Sequence, residues 1–171
     1  CARGCGRGCR FCIAGYVFRP PRYRPLEQLL SRVEHSLEHT KRVGLLGAAV
    51  ADHPRLTDLV LGARDLGAEV SISSLRVDNL EPRMLGALAA GGTRTVTVAP
   101  EAGSERMRLA INKGCTEEQI LEGASLVGEA GLQRFGPRRK GAVDRHRGGT
   151  ELRHHPLEAG VGDERALELQ D

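Results

Sequence analysis

Three cysteines in a glycine-rich loop, in the string Cys5-Gly-Arg-Gly-Cys9-Arg-Phe-Cys12, constrain this chain more than any other feature. Thiolates spaced C-x3-C-x2-C can wrap one face of a cubane iron–sulfur cluster, because each cysteine must reach a different iron only a few ångströms away. Three ligands leave the fourth iron open. An open metal position is a place for a substrate or cofactor, whereas a closed four-cysteine site serves structure or electron transfer, so the count of three leans toward catalysis. A zinc site would want two close cysteine pairs separated by a longer insert, and no second pair follows Cys12. A disulfide framework fits less well still. Five cysteines is an odd number, Cys115 stands alone, and nothing resembling a secretory signal precedes the group. The spacing therefore ranks cluster above zinc, and zinc above disulfide.

The flanks of the triad support an anionic centre. Glycines 4, 6 and 8 allow tight turns that bring backbone N–H groups toward sulfur, and Gly15 with Pro20-Pro21 closes the loop. Arg3, Arg7, Arg10, Arg19, Arg22 and Arg24 all precede the first acidic residue, Glu27. Cations compensate a thiolate-ligated cluster. The same arginines also suit a phosphate-tracking patch for RNA, but no interleaved row of base-stacking aromatics accompanies them. The net charge of +3 does not mark a general polyanion binder, and no apolar run approaches the roughly 18 residues that a membrane span needs.

Beyond the loop the chain alternates in period. Leu26, Leu29, Leu30, Val33 and Leu37 form the stripe of an amphipathic helix that starts after Pro25 and runs to about Lys41. His35 and His39, one turn apart among charged neighbours, read as solvated surface. Residues 43–50 (VGLLGAAV) form a continuous apolar run, expected as a strand covered on both faces. Asp52-His53-Pro54 then starts a helix with Leu56, Leu59, Val60, Ala63 and Leu66 on its apolar face, ended by Gly67. A strand over 69–74 precedes a helix introduced by Asp78 or Asn79 and carrying Leu80, Met84, Leu85 and Leu88. A strand over 93–99 leads into Glu101-Ala-Gly-Ser104, where Ser104 caps a helix to Asn112. Thr116 and Gln119 make a capping box for another helix, to about Ala130. Strand starts near 43, 69 and 93 indicate an α/β fold, either a β/α barrel or a doubly wound sheet.

The cluster loop settles which. With Phe11 as the aromatic of C-x3-C-x-aromatic-C, it resembles the signature of the radical SAM enzymes. The longer string RGCGRGCRFCIAGYVFRPPR is similar to one branch of them, proteins often joined to a cobalamin-binding domain. The resemblance covers residues 1–135 and implies a partial (β/α) barrel of the TIM type, incomplete at both ends, with its chemistry at the C-terminal ends of the strands. The family's triad maps onto Cys5, Cys9 and Cys12 and leaves Cys1 a bystander. These three would hold a 4Fe-4S cluster whose open iron takes the amino and carboxylate groups of S-adenosylmethionine for reductive cleavage to a 5′-deoxyadenosyl radical. Phe11 falls where the superfamily contacts adenine. Gly47 and Ala48, with Asp52 beyond, correspond to the contact with the methionine amino group, although the usual glycine-rich, acid-ended motif is degenerate here. Arg76, in SSLRVD, offers a bidentate partner for a carboxylate, or else a surface salt bridge with Asp78. Glu101 and Ser104, in APEAGSER, resemble a ribose-binding string, and Arg106 is a weaker candidate of the same sort. The resemblance further implies a cytoplasmic enzyme fed by flavodoxin or ferredoxin, acting on an unknown substrate, with cobalamin carried by a domain outside this chain. The alternative is a non-enzymatic iron–sulfur or zinc module contacting RNA through the N-terminal arginines.

The chain starts without Met on the cluster loop itself, so a fragment of a longer protein is expected, with an open site and weak activity at most. A strand should begin over 132–135 (LQRF). Residues 136–171 lose all periodicity, mix charges of both signs and are expected to be disordered or aberrant, because they offer little apolar area to bury.

Overall fold

The stripe Leu26, Leu29, Leu30, Val33 and Leu37 does form a helix, and how it and its neighbours end shapes the fold. The computed structural model describes residues 1–72 and 74–133. The expected tail, the boundary before it and the end of the LQRF segment lie outside the described residues.

The chain opens with two short strands, β1 (Ala2–Arg3) and β2 (Arg22–Tyr23), paired antiparallel around the cysteine loop. Within that loop lies α1 (Ala14–Val17), which the sequence did not announce. Helix α2 (Leu26–Leu37) buries Leu29 and Val33, and ends four residues earlier than its periodicity suggests. Then follow β3 (Arg42–Leu45), α3 (Leu56–Asp65), β4 (Glu69–Ile72), α4 (Pro82–Ala90), α5 (Glu105–Ala110) and α6 (Glu117–Glu129). Strands β3 and β4 pair in parallel from Arg42↔Glu69 to Leu45↔Ile72, as a βαβ unit requires.

Two strand expectations need correction. The apolar run over 43–50 is a strand only to Leu45, because the chain then turns. A Cβ on Gly47 would come within 3.1 Å of the Ala2 carbonyl, and Val50–Asp52 is one turn of 3-10 helix. The segment over 93–99 forms no regular strand. It touches its neighbours at two isolated parallel bridges, Leu75↔Val98 and Thr95↔Gln133. Another 3-10 turn at Val77–Asn79 draws the preceding chain off the ladder just after Leu75, which keeps that pairing short. Among the described residues the parallel order 42–45, 69–75, 95–98 and 133 is an open series, and no closed barrel is seen.

The helices cover this series with the faces their period dictates. Leu59, Val60 and Ala63 of α3 meet Met84, Leu85 and Leu88 of α4, and Val70, Val96 and Val98 supply the strand side of the same core. Each fully buried aliphatic side chain here contributes about 1.5–3 kcal/mol. Leu66, expected on the apolar face, lies past the end of α3 and is 43% exposed. The capping box at Thr116 and Gln119 forms as read, with both reciprocal hydrogen bonds present.

Candidate functional site

The cysteine loop is held from three sides before any ligand is considered. The Cys5 amide donates to the Phe18 carbonyl at 3.2 Å, and the Cys12 amide to the Cys9 carbonyl at 3.0 Å. Gly4 sits at φ 80° with no room for a side chain: a Cβ there would lie 2.2 Å from the Phe18 oxygen. From the far end of the chain, the Ile111 carbonyl accepts the Arg10 amide at 2.9 Å, and Asn112 Nδ2 donates to the Gly8 carbonyl at 2.8 Å. Asn112 does this from a left-handed backbone, φ 55°, which asparagine tolerates better than most residues. His53 anchors the loop's exit. Its Nδ1 accepts the Arg55 amide at 3.1 Å, which fixes the tautomer, so Nε2–H donates to the Arg24 carbonyl at 2.9 Å.

Cys5, Cys9, Cys12 and Phe11 line a cavity of about 210 Å³, closed on its other sides by Gly47 and Ala48 after β3, Arg76 after β4, and Glu101 after the 95–98 segment. The cavity therefore opens at the C-terminal ends of the parallel segments, where α/β folds gather their chemistry. Cys5 and Cys9 are buried and Cys12 is half-buried. The Arg7 amide points at the Cys5 sulfur, N to Sγ 3.4 Å, and a donor so placed stabilises thiolate charge. Ser104 does not line the cavity. Its Oγ accepts the Met107 amide at 3.3 Å and caps α5. Arg106 is exposed as well.

The charged groups around the cavity are paired. Arg76 takes the partner that its own loop offers, with Nε to Asp78 Oδ1 at 2.9 Å and Nη2 to Oδ2 at 3.1 Å, while Nη2 also reaches the Lys113 carbonyl at 3.2 Å. Glu101 stands at φ 74°, an unusual backbone for a side-chain-bearing residue, and receives Lys113 Nζ at 3.1 Å. The same ammonium lies 5.9 Å from the centre of the Phe11 ring, so one cation bridges the aromatic and the acid. Arg7 is engaged by Asp52 and Asp78. Its hydrogen bond to Asp52 raises its pKa, burial opposes, and the charges of Asp52 and Asp78 add to the rise. Arg10 and Arg19, both exposed, donate to the carbonyls of Ala110 and Gly6.

Sequence reasoning named the Arg76–Asp78 salt bridge but missed the pairing of Arg7 and the places of Lys113 and Arg108 in this neighbourhood. Arg108 is buried, with Nε on the Cys115 carbonyl at 2.8 Å and Nη1 on the Ala102 carbonyl at 3.1 Å, and it ties the Glu101–Ser104 turn to the chain beyond α5. Of those missed, Arg7 alone gave a signal, its place between two cysteines of the triad, which was noted for its charge.

Asp78 gives the site a pH dependence with a definite sign. Burial disfavours its charge, but the hydrogen bond from Arg76 and the charges of Arg76 and Arg7 outweigh that and hold its pKa below the ordinary carboxylate value. A group depressed in the folded state contributes stability above its unfolded pKa and loses it as pH falls through the folded one. Thermal melts should thus fall as pH drops below the usual carboxylate range, and Asp78→Asn should flatten that part of the profile. A variant with the same acid slope as the parent would contradict this.

Among the described residues one trio brings its metal-binding atoms within 4.8 Å of one another: His35, Glu38 and His39, exposed at the end of α2 where the sequence reads solvated surface. Three thiols on one loop, two of them buried and one half-buried, with the Arg7 amide aimed at Cys5, are a donor set of the kind that thiolate-ligated iron–sulfur centres use. All five cysteines are unpaired. No helix among the described residues is long and apolar enough to cross a membrane.

Comparison with known proteins agrees with the loop. A family model described as the radical SAM superfamily matches residues 1–138. The uncharacterised protein MJ0966 of Methanocaldococcus jannaschii is 37% identical over 134 residues, covering 77% of this chain and 30% of that protein. The tRNA-2-methylthio-N(6)-dimethylallyladenosine synthase of Anoxybacillus flavithermus is 28% identical over 139 residues, covering 74% of this chain and 26% of the synthase. This chain thus spans less than a third of the length of either curated relative. Among solved structures, the cobalamin-dependent S-adenosylmethionine radical enzyme OxsB superposes with a TM-score of 0.62 at 18% identity, covering 78% of this chain and 22% of OxsB, a likeness of fold.

Proposed function

This chain belongs to the radical SAM superfamily, and from that premise we propose that Cys5, Cys9 and Cys12 hold a 4Fe-4S cluster and that the cavity beside them receives S-adenosylmethionine. The observation that carries the reading is the convergence of the cysteine triad, Phe11, Gly47, Ala48 and Glu101 on one cavity at the strand exits, although they come from three separate stretches of chain. When bound, cluster and cofactor supply one-electron reductive cleavage of a sulfonium, with a 5′-deoxyadenosyl radical as the product. The chain's own residues bind, orient and enclose. Phe11 offers a face for adenine. Gly47 and Ala48 leave room for the methionine end to approach backbone. Glu101, already drawn toward Lys113, offers a carboxylate to ribose hydroxyls.

The whole protein's substrate and reaction are not specified by these residues. The named relatives act within longer chains, so a tRNA substrate or a cobalamin-binding domain belongs to the proposal only as something a longer parent would supply. Five unpaired cysteines and a cluster suit a reducing compartment such as the cytoplasm, where a flavodoxin or ferredoxin would deliver the electron. The competing reading is a non-enzymatic iron–sulfur or zinc module contacting RNA. Anaerobic reconstitution separates them: the expected product carries about four irons and four sulfides per chain with broad visible absorption. A colourless chain holding zinc would overturn the proposal.

A further inference from the structure

Arg7 lies midway between Cys5 and Cys9, and its guanidinium is gripped by carboxylates from two other loops. Asp52, beyond the turn after β3, receives Nη2 at 2.7 Å and Nε at 3.2 Å on Oδ1, and Nε at 3.1 Å on Oδ2. Asp78, in the turn after β4, receives Nη1 at 3.3 Å. The acids are themselves fixed. Asn79 Nδ2 donates to Asp52 at 3.1 Å, and Arg76 holds Asp78 through two hydrogen bonds. The acid side chains are only 9% and 17% exposed while that of Arg7 is 40% exposed, so the contacts are sheltered from water on the acid side, where charge-assisted bonds gain strength. Five side chains therefore close a brace among the cysteine loop and two successive strand exits. The amide of the residue so braced is also the one that points at the Cys5 sulfur.

We propose that Arg7 is a positioning residue whose fork on Asp52 and Asp78 fixes the cysteine loop against the exits of β3 and β4 and so sets the place and charge environment of the Cys5 sulfur. The proposal rests on the cluster reading above. The fork is essential to the argument: lysine keeps the charge but presents a single point donor and cannot address two carboxylates in one plane.

The first test needs no cluster. Hydrogen exchange of the apo chain should show amides of residues 5–12 exchanging at least about tenfold faster in Arg7→Gln, with core amides of α3 and α4 unchanged as the fold control. Arg7→Lys should be nearly as fast. If Arg7→Gln proves unfolded, Arg7→Lys decides alone. Unchanged protection in Arg7→Gln, or full rescue by Arg7→Lys, would overturn the proposal. The second test uses the reconstituted chain. A cation near the cluster favours its more negative reduced form, so Arg7→Gln should lower the midpoint potential and Asp52→Asn should raise it. A potential that moves in neither variant would overturn the charge part of the proposal. A parent chain that assembles no cluster would sink the proposed function, while the exchange experiment would still judge the brace.

Discussion

Replacing Cys5, Cys9 or Cys12 singly with alanine is expected to abolish iron incorporation, while Cys1→Ala and Cys115→Ala retain it. The triad is cooperative, since a cubane held by two thiolates has lost a third of its protein ligands. Loss of even an outer-shell partner costs metal affinity roughly 10–100-fold, and loss of a ligand should cost more. Burial and position argue the other half. Cys115 is 4% exposed and packs in the hydrophobic core, away from the cavity. Cys1 also does not line the cavity; it borders a separate groove with Arg24 and Glu27. Neither sulfur is needed for the geometry described. Iron per chain after anaerobic reconstitution, measured on the five variants side by side, checks this. A Cys1 variant unable to hold iron would mean that the triad register is wrong.

The same glycine-to-alanine change should have opposite effects at two positions. Gly15, in α1, is packed so closely beneath the cysteine loop that a Cβ would lie 2.0 Å from the Arg7 carbonyl oxygen, with no flexible side chain to yield. Something in the backbone must move, and what lies there is the Cys5–Cys9 segment. Overpacking of this kind costs about 1–3 kcal/mol, and here the cost falls on the ligand loop, so Gly15→Ala should lose most of its iron while the α3–α4 core persists. Gly86, inside α4, has nothing within 4 Å of its Cβ position. Alanine there should stabilise the fold by about 0.5–1 kcal/mol through helix propensity and leave iron content alone. Iron content and thermal midpoint of the two variants form the check, and a Gly15→Ala protein with full iron would contradict the packing described.

How much of this was legible in the sequence follows from how local each cause is. That Cys5, Cys9 and Cys12 share one cavity was legible because a single short loop carries all three. The stripes of α2, α3 and α4 were legible because burial of one face imposes a 3.6-residue period, and the Thr116–Gln119 box because capping is a four-residue event. Strand ends were not. The run VGLLGAAV is uniformly apolar, and what stops the strand after Leu45 is the approach of Gly47 to Ala2 and the turn at Val50–Asp52, neither of which alters hydrophobicity. Residues 93–99 carry a strand's alternation, and Val96 and Val98 are indeed buried, but the turn at Val77–Asn79 leaves them one bridge where a ladder was expected.

The charged frame of the cavity was the least legible part. Arg7 and Asp52 are 45 residues apart, and Arg7 and Asp78 71 apart. Lys113 reaches Glu101 across the whole of α5. In sequence Arg7 reads as charge compensation and Asp78 as a partner for nearby Arg76, because a formal charge carries no record of a distant partner. Arg108 shows the same limit from the other side: on a six-residue helix with Arg106 also present, periodicity did not say which arginine turns inward.

The central claim is that the cavity beside Cys5, Cys9 and Cys12 joins a cluster's open iron to an S-adenosylmethionine site. Electron paramagnetic resonance of the reduced, reconstituted chain, recorded with and without S-adenosylmethionine, addresses both halves at once. The account predicts a reduced-cluster signal whose g-values shift on adding S-adenosylmethionine and do not shift on adding methionine-free adenosine. A signal that S-adenosylmethionine leaves unchanged, or a chain that gives no cluster signal, would contradict it.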